Sequence, residues 1–235
     1  MGDYCEMRRK KKKVETRKRK AIRRTAMLFI AAMGVSALHI CVLFPMQAVN
    51  YEAEEFNTGS THLIQRMSGD KWNQMVYMTA NDNAILITEV IFYPLLGWSG
   101  GLVAVLDCAD EGDFQARPIT RRDGDDEATR WMIYGRLRSP EVVGIRAECQ
   151  CQYWDENAEI NCTLPEVTIS GGPEIWTEKG SWRYFFLETT IPDAENGEIP
   201  FPIEITVTTL DKSGNPMRQY GQGNDLYNRF VPVDE

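Results

Sequence analysis

The sequence predicts a mainly β protein, in which one N-terminal transmembrane helix precedes an antiparallel β-sandwich. Three observations carry this prediction. Basic residues are concentrated at the N-terminus, an uncharged span of helix-forming length follows them, and the remaining chain consists of short β-branched and aromatic runs separated by turns. Because 43% of the residues are hydrophobic, the chain has enough apolar side chains for a packed core and is not a disordered protein.

The first 25 residues are predicted to form a basic cytoplasmic tail. They hold 12 of the 26 Lys and Arg residues against three acids, a net charge of +9. Residues 50–235 carry 14 basic and 31 acidic residues, a net charge of −17. The tail is therefore expected to bind anionic lipid, with nucleic acid as the weaker alternative, whereas the acidic body is expected to have no affinity for nucleic acid.

The uncharged span begins at Ala26 and is predicted to be a transmembrane signal-anchor helix over residues 26–48, with residues 49–61 as a linker. At about 1.5 Å per residue, such a helix can cross a hydrocarbon core of roughly 30 Å even if Pro45 marks its outer end. Since the excess of Lys and Arg precedes the span, we expect a single-pass protein of the cell membrane with a cytoplasmic N-terminus and an outside C-terminus.

Three processing alternatives compete with a retained anchor. A cleaved signal peptide is the strongest of them, but the basic region is long and the residues near Ala48 make a poor cleavage site. Lipoprotein-type cleavage before Cys41 would require a small residue at Ile40. Twin-arginine export through Arg23 and Arg24 lacks the usual spacing to the hydrophobic residues.

From residue 62 onward the chain is predicted to be an ectodomain of β-strands. The predicted strands are HLIQRM, QMVYMT, AILITEVIFY, GLVAVLDC, RWMIYGRL, EVVGIRAECQCQYW, EINCTL, EVTI, WRYFFLETTI and PIEITVTTL. Turn sequences such as SGD, NDN, RDGDD, SGGP and DKSGN lie between them. Short strands with regular turns and no long helical repeat favour an antiparallel sandwich, or two small β-domains.

The last of these strands alternates with period 2, which places Ile203, Ile205, Val207 and Thr209 on one face. It runs into the turn DKSGN, whose Gly214 tolerates a positive φ. This strand and turn resemble the penultimate strand and closing turn of bacterial immunoglobulin-like domains. The resemblance implies an Ig-like β-sandwich module over residues 139–235, preceded by a β-rich layer or subdomain over residues 62–138.

The pentapeptide GWSGG matches the nucleophile elbow G-x-S-x-G, with Ser99 at the position of the nucleophile. That motif requires a helix after the serine and a histidine later in the chain. A strand-like run follows Ser99, and no histidine occurs after His62. We therefore interpret these glycines as a turn between two apolar strands and predict no catalytic residue.

Four of the six cysteines belong to the predicted ectodomain: Cys108, Cys149, Cys151 and Cys162. A hairpin around the turn DENA would place Cys151 opposite Cys162, close enough for a disulfide. A weaker hypothesis pairs Cys149 with Cys108. Disulfides suit an extracytoplasmic compartment, although free thiols or, less well, a metal site stay open.

Two further groups of side chains are candidates for ligand binding. Trp98 and Trp182 are candidate stacking platforms for cell-wall sugars, although tryptophans in β-domains more often belong to the core. The acidic turns DEGD and DGDDE lack the ligand spacing of a dedicated calcium loop, so we predict no metal and no cofactor.

These observations favour a non-catalytic binding or envelope-assembly module. Its expected partners are membrane lipids, through the tail and the helix, and a surface protein or a cell-wall glycan, through the ectodomain. The alternative is a carboxylate-dependent hydrolase of cell-envelope glycans, which would require a close pair of acids. The abundance of acids permits that activity, but no spacing in the sequence singles out such a pair.

Overall fold

A computed structural model describes the chain at residues 17–31, 33–34, 41–69, 71–94, 96–108, 112–122, 129–153, 167–191, 200–222 and 230–233. The described part is mainly β, and its sheets are antiparallel, as the sequence predicts. Nine of the ten predicted runs coincide with strands or parts of strands. The tenth, EINCTL, lies outside the described residues.

Two helices occupy the N-terminal region. Helix α1 comprises the helical residues 17–31 and 33–34, and helix α2 runs over Pro45–Glu55. Among the described residues, no helix combines the length with the apolar character that a membrane crossing requires. The predicted continuous helix over residues 26–48 is therefore not observed, because residues 41–44 are not helical.

The interruption at residues 41–44 has a structural cause. Val42 forms an isolated antiparallel bridge with Trp98, with two backbone hydrogen bonds of 2.7 Å. Pro45 follows and begins helix α2, since its fixed φ and its missing N–H suit the first turn of a helix. Pro45 thus starts a second helix instead of ending a membrane span, and Ala48 and Val49 are buried within the protein.

The first sheet has four strands in the order β1-β2-β3-β4. Its strands are β1 (His62–Ser68), β2 (Gln74–Ala80), β3 (Ala84–Tyr93) and β4 (Gly97–Asp107). They follow one another in sequence as a meander, with turns near residues 71–73, 82–83 and 94–96.

Two further sheets follow along the chain. One has the order β5-β6-β10-β9 and contains β5 (Phe114–Arg121), β6 (Thr129–Leu137), β9 (Thr177–Lys179) and β10 (Trp182–Ile191). The other has the order β13-β12-β11-β7-β8 and contains β7 (Gly144–Tyr153), β8 (Val167–Gly171), β11 (Pro200–Leu210), β12 (Pro216–Gln222) and β13 (Phe230–Pro232). A short 3₁₀ helix, Pro173–Ile175, follows β8.

The chain divides into two compact units. Unit 1 comprises Met1–Thr61, Arg66–Tyr77 and Thr88–Val103, and unit 2 comprises His62–Gln65, Met78–Ile87 and Ala104–Glu235. In unit 1, Val49 of helix α2 and Tyr77 and Val90 of the sheet pack together in a small core with Val42 and Ala48.

Unit 2 has a larger core, to which strands of both later sheets contribute. Trp131, Ile133 and Phe185 come from the four-stranded sheet, and Ala147 and Val207 come from the five-stranded sheet. The predicted boundary at residue 139 falls inside this unit, because β6 pairs with β10 along nine consecutive residue pairs. Strand β10, the partner of β6, lies beyond that predicted boundary.

The predicted turn DKSGN is confirmed as the connection between β11 and β12. Gly214 has a φ of 78°, and Asp211 Oδ1 accepts hydrogen bonds from the backbone N–H groups of Ser213 and Asn215. These bonds hold the pKa of Asp211 below its usual value. Strand β12 begins at Pro216, which is tolerated because the register shifts at Leu210, the residue paired with it.

The predicted alternation in β11 is confirmed over Ile205, Val207 and Thr209, which are all buried. Ile203 is only half-buried. A register shift lies between Ile203 and Thr206, where Glu204 has a φ of 49°. This irregularity interrupts the face that the period of 2 predicts.

Candidate functional site

A groove of about 820 Å³ lies on the five-stranded sheet of unit 2. Its volume falls within the range of roughly 300 to 1,000 Å³ that is typical of ligand sites. Strands β7, β11, β12 and β13 supply its lining, together with Val233. The lining residues are Arg146, Glu148, Thr208, Pro216, Met217, Arg218, Gln219, Pro232 and Val233.

The strand register explains why polar side chains meet in this groove. In β7, Ile145 and Ala147 are buried in the core, so Arg146 and Glu148 project from the opposite face. Thr208 of β11 pairs with Arg146, and on its other side it pairs with Gln219 of β12. One row of polar side chains therefore crosses three neighbouring strands.

The same row continues to the edge of the sheet, where Ser170 of β8 pairs with Arg146. The next row on this face contains Glu148, with Thr168 and Thr206 as its neighbours. The surface therefore offers hydroxyl and amide groups around one carboxylate. Such a surface can orient a polar ligand through several hydrogen bonds.

Two guanidinium groups give the groove its basic character. Arg146 Nε lies 3.2 Å from Glu148 Oε1, and both side chains are partly exposed. Arg218 is exposed, and its guanidinium carbon lies 5.8 Å from the centre of the Tyr220 ring. Two cations and one carboxylate leave one positive charge in excess, which favours a ligand that carries an anionic group.

A smaller cavity of about 360 Å³ shares Arg218 and Pro232 with the groove. Phe114 and Tyr220 stack in its wall, with ring centres 4.1 Å apart. Burial raises the pKa of the Tyr220 hydroxyl, and the nearby Arg218 opposes that rise. The raised pKa favours the neutral hydroxyl, which can donate a hydrogen bond.

The structure places GWSGG at the beginning of strand β4. Ser99 lies within this strand, which continues to Asp107, so the predicted turn at the glycines is wrong: they belong to the strand itself. The turn residues that the structure describes, Pro94 and Leu96, come just before the glycines. Gly97 has a φ of 108°, and an added Cβ would lie 2.3 Å from the carbonyl oxygen of Val42, so this close approach requires glycine.

The candidate stacking tryptophans lie in different units, and neither is a fully exposed platform. Trp98 in unit 1 is half-buried and packs against Phe92, with ring centres 5.1 Å apart. Trp182 in unit 2 is only 7% exposed. The guanidinium carbons of Arg136 and Arg138 lie 4.0 and 4.2 Å from its ring centre, which gives the ring two cation–π contacts.

The cysteines of unit 2 that the structure describes, Cys108, Cys149 and Cys151, are buried and form no disulfide with one another, so the pairing of Cys149 with Cys108 is not observed. Cys149 and Cys151 belong to the core face of β7, with their Sγ atoms 3.8 Å apart. Burial raises the pKa of the Cys108 thiol to about 12, and Cys108 Sγ donates to the carbonyl oxygen of Leu106. Cys108 is therefore protonated and unreactive at neutral pH.

The predicted disulfide between Cys151 and Cys162 stays a prediction, because Cys162 lies outside the described residues. The described pairing of β7 with β8 places Val167 opposite Cys149. The predicted register, continued to this position, would place Leu164 there instead.

The acidic turn DGDDE, at residues 123–127, also lies outside the described residues, as do residues 109–111. Within the described ranges, His, Cys, Asp and Glu side chains form no group that could hold a metal ion.

The sequence carried too little information to identify the groove. Arg146, Glu148 and Thr208 belong to strands that are distant in sequence, and only the register of β7 with β11 brings them together. The alternation of polar residues in RAECQ and TVTT was the one usable indication, because it predicts a polar outward face. Comparison of the chain with known protein families, with curated proteins and with solved structures finds no match.

Proposed function

We propose that this chain is a single-pass membrane protein whose β-rich body is a non-catalytic binding module outside the cell. The groove on the five-stranded sheet is the proposed binding site, and its ligand is a polar molecule or protein segment that presents an anionic group. The observation that carries this proposal is the polar row from Arg146 to Gln219, flanked by Arg218.

The exposed apolar surface of helix α1 supports membrane anchoring. Arg17–Arg24 include six basic residues, and the apolar side chains that follow in the helix are between 56% and 69% exposed: Met27, Leu28, Phe29, Ile30 and Met33. A helix with apolar side chains on all sides requires an apolar environment, and lipid is such an environment.

The proposed membrane segment is shorter than the sequence alone suggested, since Val42 bridges to Trp98 and residues of helix α2 are buried in the core of unit 1. A helix over residues 26–40 would be about 22 Å long, less than a typical hydrocarbon core. Arg23 and Arg24 can extend the usable length, because long basic side chains reach from the membrane interior to its surface. Their position before the segment favours a cytoplasmic N-terminus.

The arrangement of unit 2 supports an Ig-like sandwich. Strands from its two antiparallel sheets contribute to one core, and the hairpin β11–β12 has the turn that the resemblance implies. The two sheets contain β5, β6, β9 and β10 on one side and β7, β8, β11, β12 and β13 on the other. Aligned packing of two such sheets is the usual architecture of this domain class.

The groove supports binding better than glycan hydrolysis. Hydrolysis of a glycosidic bond generally requires two carboxyl groups on opposite sides of the scissile bond. Glu148 is the one carboxylate among the described residues that line the groove, and it forms an ion pair with Arg146. Its role is therefore to hold Arg146 in position.

Site-specific labelling tests the proposed topology. In cells that produce the full chain with Cys5 and Cys162 replaced by serine, an impermeant maleimide should label a Ser170→Cys variant, because Ser170 is exposed. A Thr16→Cys variant should be labelled only after lysis. The parent chain should give little background, since its remaining thiols are buried. Labelling of Thr16→Cys alone in intact cells would show the opposite orientation.

Binding of a fluorescent oligoglutamate peptide tests the groove. Because the +9 tail also attracts a polyanionic peptide, the detergent-solubilised chain used here carries glutamine in place of the 12 Lys and Arg residues of the tail. This chain should bind the peptide saturably, and affinity should fall about tenfold or more in the double variant Arg146→Gln and Arg218→Gln, since each lost charge-assisted hydrogen bond is worth roughly 1.5 to 3 kcal/mol. Lys212→Gln is the control, because it also removes a positive charge from an exposed position of unit 2 but does not line the groove. Equal affinity in the double variant and the control would contradict the assignment.

A further inference from the structure

One end of the sheet in unit 1 carries a cluster of exposed apolar side chains, which we name the apolar rim. It consists of Leu43, Phe44, Trp72, Tyr93 and Leu96, which are between 42% and 84% exposed. Trp72 is the most exposed of them. Scattered apolar residues are normal on a protein surface, but a group of five large ones at one end of a sheet indicates a binding surface.

Backbone contacts place all five residues at the same end. The Asn73 carbonyl oxygen accepts a hydrogen bond of 2.7 Å from the Phe92 N–H, so the turn with Trp72 lies beside the end of β3, where Tyr93 is located. The turn at residues 94–96, which contains Leu96, connects β3 to β4. The bridge between Val42 and Trp98 then places Leu43 and Phe44 beside the first residues of β4.

The rim lies where the chain first pairs with the sheet of unit 1, at the bridge between Val42 and Trp98. Residues 41–44 follow directly on the uncharged segment that we propose as the membrane anchor, and Leu43 and Phe44 are themselves part of the rim. If a membrane holds residues 26–40, only a few residues of the chain separate it from the rim. No long linker separates the two, so this end of unit 1 must lie near the lipid surface.

The charges and the residue types of the rim also fit a lipid surface. Four of the five rim residues lie in sequence ranges without charge, 26–51 and 90–106, and the two charges that precede Trp72, Asp70 and Lys71, are of opposite sign, although residues 50–235 as a whole carry a net charge of −17. An anionic membrane repels acidic surfaces but not an uncharged one. Trp and Tyr are also the residues that favour the headgroup region, because their rings combine an apolar body with a polar tip.

We propose that the apolar rim rests in the headgroup region of a phospholipid bilayer and fixes the orientation of unit 1 on the membrane. This inference rests on the proposed anchor, which brings the rim to the bilayer. The rim then adds a second, non-covalent attachment that involves the folded unit itself. An interfacial contact of this kind gains free energy from the apolar area that it buries.

Quenching of tryptophan fluorescence by brominated lipid tests the inference. The full chain is reconstituted into phosphatidylcholine and phosphatidylglycerol vesicles whose acyl chains carry bromine close to the headgroups. Wild-type fluorescence should be quenched, and most of that quenching should disappear in Trp72→Phe. Trp182→Phe should retain it, since Trp182 is buried in unit 2.

A second pair of variants distinguishes contact between the rim and the lipid from simple closeness of Trp72 to the membrane. Phe44→Ser combined with Leu96→Ser should reduce the quenching of Trp72, because the rim loses apolar area. Phe56→Ser is the matched control: Phe56 is 51% exposed and caps the opposite end of helix α2 from Phe44. Equal quenching in the double variant and in the control would overturn the inference.

The outcomes also separate this inference from the proposed anchor. If the chain floats with the vesicles but Trp72→Phe loses no quenching, the rim does not contact lipid, and the anchor stands. If the wild-type chain does not float with the vesicles, both the anchor and the rim contact are wrong.

Discussion

Replacing Arg136 with methionine should lower the free energy of unfolding of unit 2 by about 3 to 5 kcal/mol, because it leaves several buried acceptors without a donor. Arg136 is 2% exposed and lies on β6. Its guanidinium group lies over the Trp182 ring, where methionine can replace part of the packing but none of the hydrogen bonds.

Four hydrogen bonds account for the size of this effect. Arg136 Nε donates to Gln115 Oε1 at 2.7 Å, and Nη1 donates to the Asn81 carbonyl oxygen at 3.2 Å. Nη2 donates to the carbonyl oxygens of Asp82 and Cys108 at 2.9 and 3.1 Å. Because a guanidinium group cannot lose its proton in the interior, these acceptors are what makes its burial tolerable.

Arg138→Met is the matched control. Arg138 lies two residues further along, is exposed, and contacts the same Trp182 ring at 4.2 Å. Its loss removes an exposed cation–π contact worth about 0.5 to 1 kcal/mol. Denaturant titration of the full chain, followed by near-ultraviolet circular dichroism, measures both variants. A difference between them of less than about 1 kcal/mol would contradict the structural role assigned to Arg136.

The strands were largely predictable from the sequence where the residue types are those that suit the position of the strand in its sheet. AILITEVIFY and WRYFFLETTI coincide with β3 and β10, because β-branched and aromatic residues suit a buried, pleated surface. Strand β5 was missed, since its sequence contains two Arg residues and Pro118. Proline is tolerated there because β5 is an edge strand, and strand order is a tertiary property that no local pattern reveals.

The span over residues 26–48 shows what composition alone does not predict. A lipid bilayer and a protein core both select uncharged apolar residues, so composition does not distinguish helix α2 from the end of a membrane helix. The two cases differ in what the residues contact. Here Val42 forms a bridge with Trp98, which is distant in sequence, and a pattern of local residues does not reveal such a contact. Pro45 was recognised as a breaker of the first helix but not as the beginning of a second one.

The candidate site depends even more on tertiary structure. Trp182 was chosen from the sequence as a stacking platform, but Arg136 of β6 and Arg138, which follows that strand, lie over its ring because β6 and β10 are neighbours. Arg146 was not chosen at all, since one arginine in an alternating strand is ordinary. Its significance follows from the neighbours Thr208 and Ser170, which the register supplies.

The second large effect is expected at Gly135, the residue that precedes Arg136 on β6. An added Cβ would lie 2.2 Å from the carbonyl oxygen of Gln115 and 2.8 Å from Cα of Ala116. Both atoms belong to the backbone of β5, which pairs with β6 at this point, so no side-chain rotation can relieve the contact. We expect Gly135→Ala to lower the free energy of unfolding by about 3 kcal/mol or more, through displacement of β5 from β6.

Gly112→Ala serves as the control for Gly135→Ala, because both substitutions add one methyl group to unit 2. The nearest atom to a Cβ at Gly112 is the Phe114 carbonyl oxygen at 3.6 Å, an ordinary contact distance. Its stability should therefore stay within about 1 kcal/mol of wild type in the same denaturant titration. If Gly135→Ala is equally mild, β5 and β6 are further apart than the register from Phe114 to Arg121 requires. The pairing of these two strands would then have to be revised, and with it the position of Gln115 beside Arg136.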